Sequence, residues 1–118
     1  MADIAVQSFT DAGLEPTFTA AAAAGDKFLN SGNEFIVLKS SNASPITVTF
    51  ETTKTYSSLS VADRTVVVAG AVGGVQGQSL VGKLLKDVYN VATGADAGKV
   101  AMTYTTNTGL TIAVLKLA

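Results

Sequence analysis

The chain contains no cysteine and no histidine. The first absence excludes a disulfide framework, a thiol nucleophile and a thiolate metal site, and leaves the redox compartment open. The second removes the commonest general base and, together with the first, most zinc and copper sites. Charge is also scarce, at 14% of residues against roughly 25% in an ordinary soluble domain, so part of the uncharged surface is expected to be covered. Eight Lys and Arg stand against nine Asp and Glu. That balance offers no basic field for nucleic acid or for an anionic membrane, and neither is expected as a partner.

Long hydrophobic runs are missing too. The longest uncharged span, Thr65 to Gly82, carries Gln76, Gln78, Ser79 and five glycines. It is too polar and too glycine-rich for the roughly 20 residues of a hydrocarbon-facing helix. The opening MADIAVQSFT has no basic segment followed by an apolar one, so no secretory signal is expected and synthesis in a cytoplasm is. A length of 118 residues predicts a single β domain over residues 1–118, in which residues 1–16 can also be read as an N-terminal arm.

What the chain does have is short alternating runs between turn residues. In Glu34 to Glu51, the apolar runs Phe35 to Leu38 and Ile46 to Phe50 flank Ser40, Ser41, Asn42, Ala43, Ser44 and Pro45, which predicts a strand, a turn and a returning strand. Ile46, Val48 and Phe50 alternate with Thr47, Thr49 and Glu51, the pattern of one buried and one wetted face. Phe35 to Leu38 is apolar on both faces, as in a strand covered on both sides by its own chain or by a neighbouring subunit. Asp3 to Thr10 reads as a first strand carrying Ile4 and Val6, and Thr17 to Thr19 as a brief one. Ala20 to Ala24 allows one helical turn or a tight loop, and Asp26 to Asn30 another short strand.

Lys54 to Arg64 predicts a loop anchored by Tyr56 and Leu59, and the β-branched Thr65 to Val68 predicts a strand. The glycine-studded stretch that follows is flexible by composition, and Leu80 to Val88 fits either strand or helical turn. Lys99 to Thr105 alternates, and Thr106 to Gly109 is expected to close a hairpin into Leu110 to Leu117. That last run has Leu110, Ile112 and Val114 on one face and ends with Leu115 and Leu117 on the other. Seven to nine short strands without a long helix predict an all-β fold, an antiparallel β-sandwich or a small jelly-roll-like barrel.

Motifs for chemistry fail on inspection. Gly77 to Leu84 fits G-x-x-x-x-G-K, but Leu84 stands where a phosphate loop needs a hydroxyl for magnesium, and no buried strand pattern precedes it. The nine carboxylates are dispersed singly, with no D-x-D cluster suited to calcium and no evident pair for glycoside hydrolysis. Tyr56, Tyr89 and Tyr104 fit core or subunit contacts better than a sugar-stacking platform. No cofactor, metal or catalytic residue is expected.

The order Gly25-Asp26-Lys27-Phe28, Gly32 to Lys39, Ile46 to Thr49, Val61 to Val68, Val88-Tyr89-Asn90, Val100 to Tyr104 and Leu110 to Leu117 resembles the small all-β capsid decoration, or cement, proteins of tailed bacteriophages. The likeness runs from about Thr17 onward. After Val66 to Val68, where such proteins tend to run a proline-containing turn, this chain has Ala69, Gly70 and Ala71. The resemblance implies a non-enzymatic virion protein on the capsid exterior, made in the host cytoplasm. Its implied partners are the major capsid protein and itself, as a homodimer or homotrimer bridging capsomers. The expected subunit or capsid contacts are Phe35, Val37, Leu115, Leu117, Ile4 and Val6. Other readings are a β-sandwich recognition module for carbohydrate or a cell-surface partner, and another virion part such as a tail tube, fibre or connector.

Overall fold

The computed structural model describes residues 1–117. The chain runs through β1 (Ala2–Asp3), β2 (Val6–Phe9), β3 (Thr19–Ala20), β4 (Asp26–Leu29), β5 (Glu34–Ser40) and β6 (Ile46–Phe50). A small hairpin follows, β7 (Thr55–Tyr56) and β8 (Leu59–Ser60), then β9 (Arg64–Val68) and β10 (Gly77–Gly82). One helical turn, α1 (Lys86–Tyr89), precedes β11 (Lys99–Tyr104) and β12 (Leu110–Leu117).

Two sheets pack face to face as a β-sandwich. Sheet A has the order β1-β4-β11-β6-β9, and sheet B the order β10-β5-β12-β2, with β3 also on β12. Both are antiparallel except at their N-terminal edges, where β1 runs parallel to β4 and β2 parallel to β12. The sheets are therefore mixed. Alternation fills the space between them: Phe28, Val48, Phe50, Val68, Val100 and Met102 from sheet A meet Ile36, Leu38, Ile112 and Val114 from sheet B, all buried.

Several expected connections are corrected. The stretch Glu34 to Glu51 is not a hairpin, because β5 lies in sheet B and β6 in sheet A. Thr106 to Gly109 likewise carries the chain from β11 in sheet A to β12 in sheet B. Both are arches over the core. Turn residues permit either connection, and the choice falls to burial: Ile36 and Leu38 face Val48 and Phe50 across the sandwich instead of lying beside them. The two arches brace each other. The Ser41 N–H donates to the Gly109 carbonyl at 3.0 Å and the Asn42 amide to the Thr108 carbonyl at 3.2 Å. Gly109 has φ +78° there, and a Cβ on it would lie 2.8 Å from Ser41 Oγ.

The single strand expected over Asp3 to Thr10 is two strands in different sheets, divided where Ile4 turns into the core. The brief strand expected at Thr17 to Thr19 is Thr19–Ala20, and the alanine run closes as a tight loop through Gly25 N–H to the Ala22 carbonyl. Tyr56 and Leu59 do not anchor their segment. They sit 60% and 72% exposed on the β7–β8 hairpin, whose base is held by Thr52 on Asp63 and on the Val61 carbonyl. Leu80 to Val88 is divided between the end of β10 and α1.

Candidate interaction faces

The two outer faces of the sandwich differ in kind. In sheet A, strand alternation turns Thr47, Thr49, Thr65, Lys27, Lys99 and Thr103 outward. Lys27 pairs with Asp96 at 2.7 Å and Lys99 with Asp3 at 2.8 Å. The hydrogen bond from Lys99 holds the Asp3 carboxyl below its ordinary range, and that from Lys27 to Asp96 holds the lysine above its own. Leu29 and Val67 stand on the same face, 57% and 61% exposed, between the threonines and the ion pairs.

Sheet B turns Phe35, Val37, Leu80, Ala113, Leu115, Leu117 and Phe9 outward, by the registers Phe35↔Leu115, Val37↔Leu80, Val37↔Ala113 and Leu117↔Phe9. Phe9 and Phe35 meet edge to face with ring centroids 5.6 Å apart. The segment between β2 and β3 folds back beside them. The Gln7 side chain donates to the Thr17 carbonyl at 2.7 Å and accepts from the Thr17 N–H at 2.9 Å, and Lys39 Nζ lies 4.4 Å from the Phe18 ring centroid. One shallow groove on this side is lined by Asn33, Glu34, Phe35, Gly82, Lys83 and Leu117, and a second by Val37, Gln78, Ser79 and Leu80.

The six residues expected to form contacts are not all brought together. Phe35 and Val37 lie half-buried on the outer face of sheet B, and Leu117 is 64% exposed beside them. Leu115 belongs to the same face but is only 8% exposed between its neighbours. Ile4 is buried in the core, with its N–H on the Lys27 carbonyl, and Val6 packs against the core from the inner side. Leu80 and Phe9 were missed. A strand reading of Gly77 to Gly82 with Leu80 on the face opposite Val81 would have found the first.

Polar groups buried in the sandwich serve the fold. Glu34 accepts hydrogen bonds from the N–H and hydroxyl of Ser31, both at 2.8 Å, and from the Asn33 N–H at 3.1 Å. Burial pushes its carboxyl up, yet these donors outweigh that and hold it below the ordinary value. Asn30 and Asn90 exchange hydrogen bonds, Asn30 Nδ2 to Asn90 Oδ1 at 2.8 Å and Asn90 Nδ2 to the Asn30 carbonyl at 2.8 Å. The pair ties the β4–β5 crossing to the end of α1.

The phosphate-loop lead resolves as a strand, since Gly77 to Gly82 is β10 in register with Ser40 to Phe35. Among the described residues no group of three Asp, Glu, His or Cys side chains could hold a metal ion, and no helix is long and apolar enough to cross a membrane. The geometry of these faces can cover another surface. No family model, curated protein or solved structure matches the chain.

Proposed function

We propose that this chain is a non-enzymatic virion protein that decorates the outside of a tailed-phage head and stabilises the shell by bridging capsomers. One observation carries the reading: sheet B presents an apolar face built from Phe35, Val37, Leu80 and Leu117, whereas sheet A presents threonines and two ion pairs around Leu29 and Val67. An apolar patch rimmed by polar residues marks a surface meant to be covered. The resemblance described above supplies the partner, a capsid lattice, on which many copies of a modest contact add up through avidity. The decisive measurement is co-sedimentation of the purified chain with assembled phage heads, and of heads alone under osmotic or chelator stress. Binding and added resistance to rupture support the proposal; a chain left wholly in the supernatant ends it.

A second reading, a recognition module for a glycan or a cell-surface partner, draws on the exposed Tyr56 at the β7–β8 hairpin. Tyr89 and Tyr104 pack against the core, which leaves Tyr56 without a companion for a stacking platform. Glycan-array binding that disappears on Tyr56→Ala would favour this alternative over the capsid.

A further inference from the structure

We infer that β10 is a self-pairing edge: two copies of this chain join antiparallel along Gly77–Gly82, about a twofold axis through Leu80, into one continuous sheet. The pattern of backbone hydrogen bonds leads there. Ser41 N–H donates to the Gly109 carbonyl and Ala21 N–H to the Leu110 carbonyl, so Leu110 and its register partner Ser40 turn their backbone groups away from each other. Ser40, Leu38 and Ile36 therefore face β10, where they pair with Gly77, Ser79 and Val81. The N–H and C=O of Gln78, Leu80 and Gly82 point out of the sheet edge. Among the described residues they meet no partner.

These free groups are spaced two residues apart and are symmetric about Leu80. Antiparallel pairing of two copies sets Leu80 opposite Leu80 and Gln78 opposite Gly82 in each direction. Two hydrogen bonds for each of three pairs make about six, so every outward group of the strand is satisfied in that register. Opposed residues share a face, and the Leu80 side chain, 67% exposed in the single chain, meets its own copy at the centre. Lys83, one residue beyond the strand, is carried to the far end of the partner strand, away from the partner's Lys83.

Other edges fit less well. Those at β1, β2 and β3 have two, four and two residues. The remaining long edge, β9, begins with Arg64 and runs near β10, and Arg64 and Val66 line a groove with Leu80, Val81 and Gly82. β10 has no proline and no charged residue, the usual devices that keep an edge from pairing. Its neighbour across the sheet is Val37, so pairing also merges the apolar faces of two copies into one surface. The pairing stands whether or not that surface docks on a capsid.

The test measures solution mass by light scattering on the full chain, with two substitutions. The wild type is expected at twice the 12.0 kDa chain mass, and Leu80→Lys at half the wild-type value with unchanged far-UV circular dichroism. Because the chain has no cysteine, Leu80→Cys gives a single thiol at the axis. The Cα atoms of a hydrogen-bonded antiparallel pair lie ~5.5 Å apart, within disulfide range. Air oxidation should then yield a covalent dimer, and Val72→Cys, 78% exposed in the turn that precedes β10 and off the axis, should not. A monomeric wild type overturns the inference, as does an oligomer untouched by Leu80→Lys or equal crosslinking at the two cysteine sites. Dimers indifferent to phage heads would remove the proposed function and leave this pairing in place, and monomers that bind heads would do the reverse.

Discussion

The Tyr104 hydroxyl donates a hydrogen bond to Asp26 Oδ2 at 2.5 Å, joining two residues 78 positions apart at the margin of the core. The same oxygen accepts the Ala22 N–H at 3.0 Å, which fixes the loop that leads into β4. Among the described residues Asp26 Oδ1 has no partner. The carboxylate thus depends on few donors, and losing the phenol leaves it poorly satisfied in a buried place. Tyr104→Phe is expected to cost ~1–3 kcal/mol in urea unfolding at neutral pH. A midpoint unchanged from wild type would refute the dependence.

The same contact sets the alkaline limit. Burial first, then the hydrogen bond to Asp26 and its charge, push the Tyr104 hydroxyl far above its ordinary value of 10.0. Its folded pKa exceeds its unfolded one, so the unfolded chain ionises first. The stabilisation is complete below about pH 10 and declines as pH rises above it. Spectrophotometric titration should show Tyr104 ionising only as the fold is lost, and Tyr104→Phe should flatten the alkaline limb of the stability curve.

At the acid end the sign reverses. Glu34 sits below the ordinary 4.5 because its three donors outweigh burial, so its contribution is present above that value and is lost as pH falls through the folded pKa. Glu34→Gln should lower stability by ~1–2 kcal/mol at pH 7 and weaken the acid dependence below about pH 4.5. Equal acid sensitivity in wild type and variant would show that Glu34 is not the titrating group.

The crossing from β9 to β10 has no room for a side chain at its end. A Cβ on Gly77 would lie 1.7 Å from the Ala69 carbonyl oxygen, which is backbone and cannot swing aside. Gly77→Ala should cost ~1–3 kcal/mol or abolish folding, the cost of overpacking against rigid backbone. Thermal melting of the purified variant reads the outcome, and a melting temperature within a degree or two of wild type would show that the arch relaxes freely.

The apolar face can be tested apart from stability. Leu117→Glu removes a mostly exposed leucine from sheet B, and Thr49→Glu adds the same charge to sheet A. If sheet B docks, the first should lower head binding at least tenfold and the second should leave it unchanged, both with melting near wild type because surface changes move stability little. Equal losses would place the contact elsewhere.

By itself the sequence determined that the chain is all-β and where its most regular strands lie. Alternation at Ile46 to Phe50, Lys99 to Tyr104 and Leu110 to Val114 follows from the two-residue period of a pleated chain, a property each segment has alone. The absence of histidine and cysteine narrowed the chemistry in the same local way. Only the tertiary structure decided which strands pair. Ser40 to Pro45 and Thr106 to Gly109 permit either a hairpin or an arch, and both are arches here, with Ile36 and Leu38 in one sheet, Val48 and Phe50 in the other, and all four fully buried between them. The tertiary structure likewise decided that Ile4 is buried, Leu115 enclosed, Leu80 uncovered and β10 an edge. Exposure and edges depend on partners distant in the chain, which no local pattern encodes.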